Sequence, residues 1–472
     1  MRRLRALAET LAAFLARAGI IQRSRLRETV DLAWPRIVTG FAIMSKRTVD
    51  LAIVGIAVGA DAVAGLTVAN AFWMVAKLGF IGLAGGTLSL VSQNYGGGDE
   101  HRAAAVVFAS LIVSVALALV VVPVFVFGAD RLVAIVGSGK RVTALGATYL
   151  TIVAPGLLFE GINLVASRTY AGAGDTVTPM TIRATGGVLN VVLTAGLVFG
   201  AGLGVFGAGL GTTIATGTVA VVFLWGLSGR SYAGRGASPV PVGLGPVPSL
   251  SLLRQLWTVS APLIARRVAQ GLVVFPLLAV ASSFGAVTLA AIGVGRQIRD
   301  LLNSFTWGFS IAASTLAGQA LGAAEETLAE IYGREITKFS LVTYIVAATA
   351  VIIFATPIAT LFVDGEAVPL TATFIRVAAL SAIALGIDGS VTGVLRGAGD
   401  TRVPFVATLA GLYLVAVPIA WLGTVTPLGR NALLLALLAE SGIPMVVNGL
   451  RFRTNTWKVI SRTYRPETDA VK

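Results

Sequence analysis

The chain has 472 residues, of which 56% are hydrophobic and 12% are charged, and its formal net charge is +14. This apolar composition excludes a soluble protein of two or three domains and predicts that lipid is the solvent. The absence of cysteine excludes disulfides and thiolate metal sites, and the spread of basic residues over the ends of apolar segments argues against nucleic acid as a partner.

Apolar stretches recur from Val30 to Leu450, separated by short polar interruptions. Each has roughly twenty residues, which is long enough to cross the hydrocarbon core as a helix. Residues 103–127 do not alternate between apolar and polar side chains, so a membrane β-barrel is not expected. The sequence therefore predicts an all-α membrane protein with about twelve transmembrane helices.

Basic residues cluster before the first apolar stretch and after the last one, in residues 1–29 and 451–472. The short connections that would face the other side of the membrane hold few Lys or Arg. Because basic segments stay on the cytoplasmic side, both tails are expected in the cytoplasm, and the protein is expected in the cell membrane with an even number of spans. Two interpretations of residues 1–29 stay open, an amphipathic helix on an anionic leaflet and a partly disordered tail.

The first apolar stretch contains a carboxylate, Asp50, which follows Pro35 in the same predicted helix. An ionisable group at membrane depth costs at least ~2.5 kcal/mol, so it normally faces a wet cavity or a partner. Pro35 removes one helix hydrogen bond and permits a bend, which can link proton or sodium binding at Asp50 to a change of shape. In the alternative interpretation, Lys46 neutralises Asp50 as a structural pair one helical turn away.

The sequence repeats itself in the same order along the chain. The segment Gly172–Pro179 returns 225 residues later as Gly397–Pro404, and residues 93–99 match residues 319–325 at an offset of 226. In the repeated Gly-Ala-Gly-Asp-Thr turn, the glycines permit a tight backbone and the aspartate can cap the next helix, which predicts a structural role. With six spans per half, both copies lie on one side of the membrane, so the repeat is parallel about an axis along the membrane normal.

The repeat also predicts the domain organisation. We expect a basic cytoplasmic tail at 1–29, a six-helix lobe at 30–228, a cytoplasmic linker at 229–252, a second six-helix lobe at 253–450 and a basic cytoplasmic tail at 451–472. The substrate is expected in the cleft between the two lobes.

A polar site is expected in the first lobe alone. Asp50, Asn190 and Thr194 match Pro276, Val415 and Ile419 in the second copy. Together with Thr212, these side chains offer the carboxylate, amide and hydroxyl groups that suit a hard cation or a hydrogen-bonded proton carrier, provided that their helices meet. The alternative is that each polar residue only bonds a neighbouring helix. Transient Na+ at Asp50 is the only metal expected.

Other ionisable residues lie in the apolar stretches. Glu160 and Asp388 occupy corresponding spans and are the next candidates for cavity carboxylates. Arg296 and Asp300 are further candidates for cavity or substrate residues, although Arg299 beside them also suggests a gate or a structural ion pair. The sequence holds no metal-ligand cluster, nucleophile motif or phosphate-binding loop that stands above background, so an enzyme is not expected.

Four kinds of segment point to one known family: residues 48–55 (TVDLAIVG), residues 92–96 (SQNYG), both Gly-Ala-Gly-Asp-Thr turns, and Leu395-Arg396 before the second turn. In their order and duplication they make the chain resemble the multidrug and toxic compound extrusion (MATE) transporters from about Val30 to Leu450. The resemblance implies a V-shaped pair of six-helix lobes. We expect a monomer and no cofactor other than the coupling ion. Such a protein exports small amphiphilic, often cationic compounds in exchange for Na+ or H+.

The resemblance also implies residue roles. Asp50 looks like the family's first-helix coupling aspartate, with Pro35 as the bend point. Asn190 is similar to the asparagine of the fifth helix in that network, and Thr212 is similar to the threonine of the sixth.

The chain departs from the family pattern at several positions. Thr194 stands where related members often have an aspartate, and Gln270 stands where another branch has a glutamate, which makes Gln270 a further candidate cavity residue. Intramembrane arginines such as Arg266 and Arg296 would make a cavity repel cationic drugs. An alternative function is therefore the flipping or export of anionic or lipid-phosphate-linked cargo through a basic central cavity, as in the lipid-linked precursor flippases.

Overall fold

The computed structural model describes residues 13–135, 139–231, 237–243 and 248–466, without the side chains of residues 41, 44, 45, 47 and 48. Within these ranges every regular element is a helix. The helices are α1 (Arg23–Val58), α2 (Ala60–Gly96), α3 (Glu100–Ala134), α4 (Lys140–Val153), α5 (Gly156–Gly172), α6 (Val177–Ala195), α7 (Gly204–Leu227), α8 (Leu250–Leu272), α9 (Val274–Ser283), α10 (Ala286–Gly322), α11 (Glu326–Ile353), α12 (Ala355–Ala359), α13 (Ala367–Gly397), α14 (Arg402–Leu409), α15 (Val417–Val425), α16 (Asn431–Arg453) and α17 (Thr456–Ser461). A π-helical turn, Gly196–Gly200, extends α6, and another, Ala410–Ala416, joins α14 to α15.

The helices are long enough to span a membrane repeatedly. Nine segments in the described ranges are long and apolar enough to cross it, and the pair α4 and α5, bent by 49°, counts as a tenth if it is one span. The two long helices outside this set are α1 and α10, with 36 and 37 residues, and both carry ionisable residues such as Asp50 and Arg296. With them, the described part of the chain holds twelve long helical segments, which confirms the predicted all-α membrane fold.

The internal repeat is visible in the helix lengths and in the backbone. Helices α2 and α10 have 37 residues each, and Gly59 and Gly285 precede them with φ angles of 101° and 91°. In the repeated turn, Gly174 and Gly399 have φ angles of 96° and 81°. A residue with a Cβ atom rarely adopts this left-handed conformation. The glycines of the motif therefore set the turn geometry, as the sequence predicts.

The aspartates of the two turns have different partners. Asp175 Oδ1 accepts a hydrogen bond from the backbone N–H of Thr178 at 2.9 Å. This bond satisfies one of the free N–H groups at the start of α6, which is the predicted capping role. Asp400 Oδ2 accepts instead from Arg451 Nε at 2.7 Å. The second copy of the motif thus ties its turn to the end of α16.

The chain divides into two compact units. The C-terminal unit comprises Met1–Ile37, Ser92–Gly98 and Ala269–Lys472, and the N-terminal unit comprises Val38–Val91 and Asp99–Val268. The boundary within α1 falls just after Pro35. The lobe and tail bounds taken from the repeat, and the V-shaped arrangement, stay predictions.

In the C-terminal unit, α13 packs against α10 along a row of glycines. Gly389, Gly393 and Gly397 face Thr306, Ser310 and Ser314, both rows being spaced by four residues. A Cβ atom on Gly393 would lie 2.6 Å from the backbone oxygen of Ser310. Small residues let helix backbones approach this closely in a membrane, where lipid removes the hydrophobic drive for helix association.

In the N-terminal unit, α3, α4, α5 and α7 share an apolar core in which Leu150 and Leu157 are fully buried. Helix α6 also packs against α7. At this contact Gly186 leaves room for the side chain of Val219. Side chains from α1, α2, α4, α5, α6 and α7 line a common cavity.

The described N-terminal segment docks on α11 within the C-terminal unit. Arg25 donates from Nε and Nη2 to the two carboxylate oxygens of Glu335, at 2.6 Å each. Leu15, Ile21 and Leu26 form an apolar cluster beside Phe339 and Val342. Residues 13–28 are therefore held by protein contacts, while the first twelve residues of the predicted tail lie outside the described part of the chain.

The C-terminal segment docks on the same helix. Trp457 is fully buried and stacks on Phe452, with ring centroids 5.5 Å apart. Lys458 pairs with Glu330, and Arg462 donates to both oxygens of Glu326 at 2.8 and 2.9 Å. The acidic first turns of α11 thus anchor both ends of the described chain.

Candidate functional site

A cavity of about 160 Å³ lies within the N-terminal unit, and we refer to it as the Asp50 cavity. Its polar lining residues are Thr39, Lys46, Asp50, Asn70, Lys77, Glu160, Asn163, Arg183, Asn190, Thr212 and Thr216. Its apolar and aromatic lining includes Ile43, Leu51, Leu66, Trp73, Met74, Tyr149, Val153 and Val219. A concave site with an apolar wall and a few convergent polar groups is the usual form of a small-molecule site.

Asp50 accepts hydrogen bonds from an amide on another helix, and a hydroxyl on a third helix bonds that amide in turn. Of the two orientations of the Asn190 amide, only one satisfies both neighbours. In that orientation Nδ2 donates to Asp50 Oδ1 at 2.9 Å and to Oδ2 at 3.2 Å, and Oδ1 accepts from Thr212 Oγ1 at 3.0 Å. The structure therefore brings Asp50, Asn190 and Thr212 into one chain of hydrogen bonds across α1, α6 and α7.

Lys46 lies one turn before Asp50 on α1, and its Nζ is 3.8 Å from Asp50 Oδ2. This separation allows Coulomb attraction but exceeds the length of a direct hydrogen bond. The Asp50 side chain is 13% exposed and that of Lys46 is 25% exposed, and both line the cavity. The pair is therefore neither tightly closed nor sealed from the cavity.

Glu160 forms a second charged cluster on the same cavity. Its Oε1 accepts from Lys77 Nζ at 2.7 Å and from Arg183 Nη2 at 2.6 Å. The ammonium group of Lys77 also lies over the ring of Trp73, 5.0 Å from its centroid. All these side chains are at most 12% exposed, apart from Trp73, which is half-buried. Charge-assisted hydrogen bonds of this kind offset the large cost of burying ions.

The Asp50 cavity has an excess of positive charge. Lys46, Lys77 and Arg183 are basic, while Asp50 and Glu160 are acidic, so the lining carries a formal charge of +1. The described residues contain no group of three or more His, Cys, Asp or Glu side chains placed to hold a metal ion.

The predicted cation-coupling residues are only partly gathered here. Asp50, Asn190 and Thr212 line the cavity, whereas Thr194 does not. Thr194 is fully buried beside Gly211 at the contact of α6 and α7, and its hydroxyl has no hydrogen-bond partner in the described structure. Pro35 lies within α1, which runs without a break from Arg23 to Val58.

Among the other candidates, the structure separates Glu160 from the rest. Glu160 lines the Asp50 cavity, while Asp388, Gln270, Asp300 and Arg296 belong to the C-terminal unit. Asp388 Oδ1 accepts from Asn448 Nδ2 at 2.7 Å in a buried pair. Asp300 is exposed on α10, and Gln270 is partly buried on α8.

Arg296 and Arg299 share one carboxylate that the sequence did not mark. Glu440 on α16 pairs with Arg296 through Oε1 and accepts from Arg299 Nη2 through Oε2 at 2.7 Å. The three side chains are between 5% and 12% exposed. The predicted ion pair therefore exists in this unit with Glu440 as its acid, in place of the neighbouring Asp300.

Arg183, Lys77 and Trp73 are cavity residues that received no role from the sequence. A signal for Arg183 was present, since an arginine within the apolar stretch of α6 obeys the same rule that selects Asp50. No comparable signal pairs Arg183 with Glu160, because the two residues lie on different helices. Only the packing of α5 against α6 and α7 reveals the cluster.

Comparison with known proteins assigns the chain to a family. The sequence profile of the MatE family matches residues 35–195 and again residues 262–422. The probable multidrug resistance protein NorM of Bradyrhizobium diazoefficiens is 27% identical over 416 residues, which cover 84% of this chain and 85% of that protein. The probable multidrug resistance protein NorM of Rhodopseudomonas palustris is 28% identical over 437 residues, covering 86% and 87%.

Solved structures share the fold. A MATE protein in the bent conformation superposes with a TM-score of 0.85 at 20% identity, covering 93% of this chain and 97% of that one. A MOP superfamily transporter from Pyrococcus furiosus, for which a reverse polarity of the binding pocket is described, superposes with a TM-score of 0.82 at 20% identity, covering 94% and 97%. Because the profile matches two thirds of the sequence in two copies, the chain belongs to the MatE family of multidrug and toxic compound extrusion transporters.

Proposed function

We propose that this chain is a secondary active exporter that exchanges protons for small amphiphilic compounds through the Asp50 cavity. The observation that carries the proposal is the position of Asp50, a carboxylate only 13% exposed on the wall of a cavity, bonded to Asn190 and close to Lys46. Membership of the MatE family and the similarity to probable multidrug resistance proteins support export of small compounds.

The neighbours of Asp50 favour a proton over a sodium ion as the coupling ion. A hard cation needs several oxygen ligands. Asn190 presents its Nδ2 to Asp50, Lys46 presents an ammonium group, and the hydroxyl of Thr194 lies away from the cavity. Sodium exchange is the alternative and would require the Asn190 amide to turn its oxygen towards Asp50.

Protonation of Asp50 would change the balance of charge in the cavity. The carboxylate offsets one of three positive charges, so its neutralisation leaves the lining more positive and weakens the bonds from Asn190. Because the same cavity would hold the substrate, proton binding and substrate binding influence each other there. Exchange requires this coupling to be negative, and it is negative for a cationic substrate, because a more positive lining weakens the binding of a cation.

The remaining parts of the proposal concern the setting of the protein. We place it in the cell membrane with both termini in the cytoplasm, on the basis of the basic residues in 1–29 and 451–472, and we expect it to act as a monomer. The family resemblance implies a cationic substrate, whereas the Asp50 cavity has a formal charge of +1. Transport of cationic and anionic compounds is therefore compared directly.

The test uses purified protein in lipid vesicles. An inward proton gradient is imposed with and without sodium, and transport of matched cationic, neutral and anionic dyes is followed by fluorescence. We expect proton-driven transport in the wild type and its loss in Asp50→Asn. Asp61→Asn is the matched control, because Asp61 is 51% exposed, pairs with Arg141 and lies outside the cavity. Unchanged transport in Asp50→Asn, or transport driven by sodium alone, would contradict the proton mechanism.

A second candidate function is the export or flipping of anionic or lipid-phosphate-linked cargo. The formal charge of +1 on the Asp50 cavity favours it. The reverse pocket polarity described for the Pyrococcus furiosus transporter shows the kind of variation that this fold accommodates. The basic residues that would contact such cargo here are Lys46, Lys77 and Arg183, rather than Arg266 and Arg296.

A further inference from the structure

We propose that the Asp50 cavity binds the acid group of an amphiphilic organic anion, at the nitrogen atoms of Arg183, Lys77 and Trp73. This inference rests on the second candidate function proposed above, the export of anionic cargo, because it names the groups of the same cavity that would bind such cargo. It is carried by the hydrogen bonds that the lining residues leave unused.

The acidic groups of the cavity are already occupied. Glu160 Oε1 accepts from both Lys77 and Arg183. Asp50 accepts from the Asn190 amide through both oxygens and lies beside Lys46. A cationic substrate would therefore have to compete with Lys77 and Arg183 at Glu160, or with the Asn190 amide at Asp50, and it would still meet an excess of positive charge.

The N–H donors of the cavity, in contrast, are only partly used in hydrogen bonds. Arg183 Nη1 and Trp73 Nε1 are shielded from solvent and have no hydrogen-bond partner in the described structure. The Arg183 side chain is only 10% exposed and uses one arm of its fork, Nη2, for Glu160. An orphaned buried N–H group is costly, and a rotation of the Arg183 or Trp73 side chain towards the cavity would let an acceptor of a bound molecule satisfy it. A guanidinium fork is also the group best suited to a planar or tetrahedral acid group.

These donors belong to one region of the cavity. Lys77 Nζ is within 2.7 Å of the same Glu160 oxygen that Arg183 bonds, and it lies 5.0 Å from the ring centroid of Trp73. One unpartnered acceptor, Asn163 Oδ1, accompanies them. The free hydrogen-bonding capacity is thus mainly that of N–H donors beside two positive charges.

The rest of the cavity lining indicates which kind of molecule would carry the acid group. Ile43, Leu51, Leu66, Met74, Tyr149, Val153 and Val219 supply an apolar and aromatic wall. A carboxylate, sulfonate or phosphate attached to an aromatic or aliphatic body matches both parts of the cavity. Such a group can come from a soluble organic acid or from an anionic lipid, and the two sources are distinguished by experiment.

The first experiment measures binding and does not depend on transport. Protein in nanodiscs is titrated by calorimetry with naphthalene sulfonate, naphthyl methanol and naphthyl methylammonium, which share one aromatic body. We expect the sulfonate to bind at least about tenfold more tightly than the other two, because it alone offers Arg183 an anionic acceptor. Equal binding of the three compounds, or preference for the ammonium compound, overturns the inference.

Three variants separate the site from a general charge effect. Arg183→Gln should weaken sulfonate binding about tenfold, since one charged donor is lost. Glu160→Gln should strengthen it about tenfold, because it replaces the carboxylate that pairs with Lys77 and Arg183 by a weaker, neutral acceptor and raises the cavity charge to +2. A gain of affinity cannot result from misfolding, so the opposite signs keep the inference testable. Arg141→Gln, an exposed residue outside the cavity, should leave the affinity unchanged.

A second experiment distinguishes a soluble organic acid from an anionic lipid as the source of the acid group. In vesicles, uptake of naphthalene sulfonate is compared with flipping of fluorescently labelled phosphatidylglycerol, with labelled phosphatidylcholine as the matched zwitterionic lipid. Sulfonate transport without lipid flipping identifies soluble organic acids, and the converse identifies anionic lipids. If neither moves under any ion gradient but binding follows the expected order, the proposed exporter fails and the anion site stands. Proton-driven transport of the ammonium compound without sulfonate binding leaves the exporter standing and overturns the anion site.

Discussion

Replacement of Glu440 by methionine is expected to destabilise the C-terminal unit strongly. Glu440 is 5% exposed and is the shared partner of Arg296 and Arg299, whose side chains are 12% and 11% exposed. Without the carboxylate, two guanidinium charges one helical turn apart, at roughly 6 Å, repel by about 3 kcal/mol at an effective dielectric constant of 20. Loss of the partner of a buried ion pair costs about 3–5 kcal/mol in measured cases, and we expect an effect of that size.

The measurement is equilibrium unfolding in mixed detergent micelles, followed by circular dichroism. The triple variant Glu440→Met, Arg296→Met and Arg299→Met should recover most of the lost stability, because it removes the unpaired charges together with their partner. Glu366→Gln, at an exposed position, is the control and should change the unfolding free energy by less than about 0.5 kcal/mol. If the single variant costs less than about 1 kcal/mol, or the triple variant is no more stable than the single one, the burial argument is refuted.

Three further predictions concern packing and the chain ends. Gly393→Ala should destabilise the protein by about 1–3 kcal/mol, because its Cβ would meet the backbone of Ser310 at 2.6 Å. Gly293→Ala is the control and should be neutral, because its Cβ would have nothing within 4 Å. Equal unfolding midpoints of the two variants would contradict this prediction. Glu335→Gln should loosen the N-terminal segment that Arg25 ties to α11, so that trypsin cleaves it faster while the core stays intact; an unchanged cleavage rate would mean that the apolar cluster suffices. Thr194→Val should preserve both stability and proton-driven transport, because the buried hydroxyl has no hydrogen-bond partner in the described structure. A loss of transport would mean that Thr194 takes part in coupling after all.

The fold class and its duplication were accessible from the sequence because they depend on local properties. The length and apolarity of the stretches predict membrane helices, and the twofold Gly-Ala-Gly-Asp-Thr turn predicts the repeat. The positive φ angles of Gly174 and Gly399 supply the physical reason for the repeated glycine. In the described ranges, the two long helices that fall outside the apolar spans, α1 and α10, are the ones that carry Asp50 and Arg296.

The candidate site was accessible only in part. Asp50 can be selected from the sequence, because a carboxylate in an apolar stretch is costly. Its meeting with Asn190 and Thr212 was a conditional expectation, and the structure brings these three side chains together. Thr194, four residues from Asn190 on the same helix, faces a neighbouring helix instead of the cavity.

The sequence by itself determined that this is a duplicated helical membrane protein with a costly carboxylate in its first span. The tertiary structure alone decided which charges meet: Glu160 with Lys77 and Arg183 in one unit, and Glu440 with two arginines in the other. The physical reason is that each residue turns a helix by about 100°, so the face that a side chain presents depends on how the helix is rotated against its neighbours. Composition and spacing set the cost of a buried charge, and helix packing decides which partner offsets it.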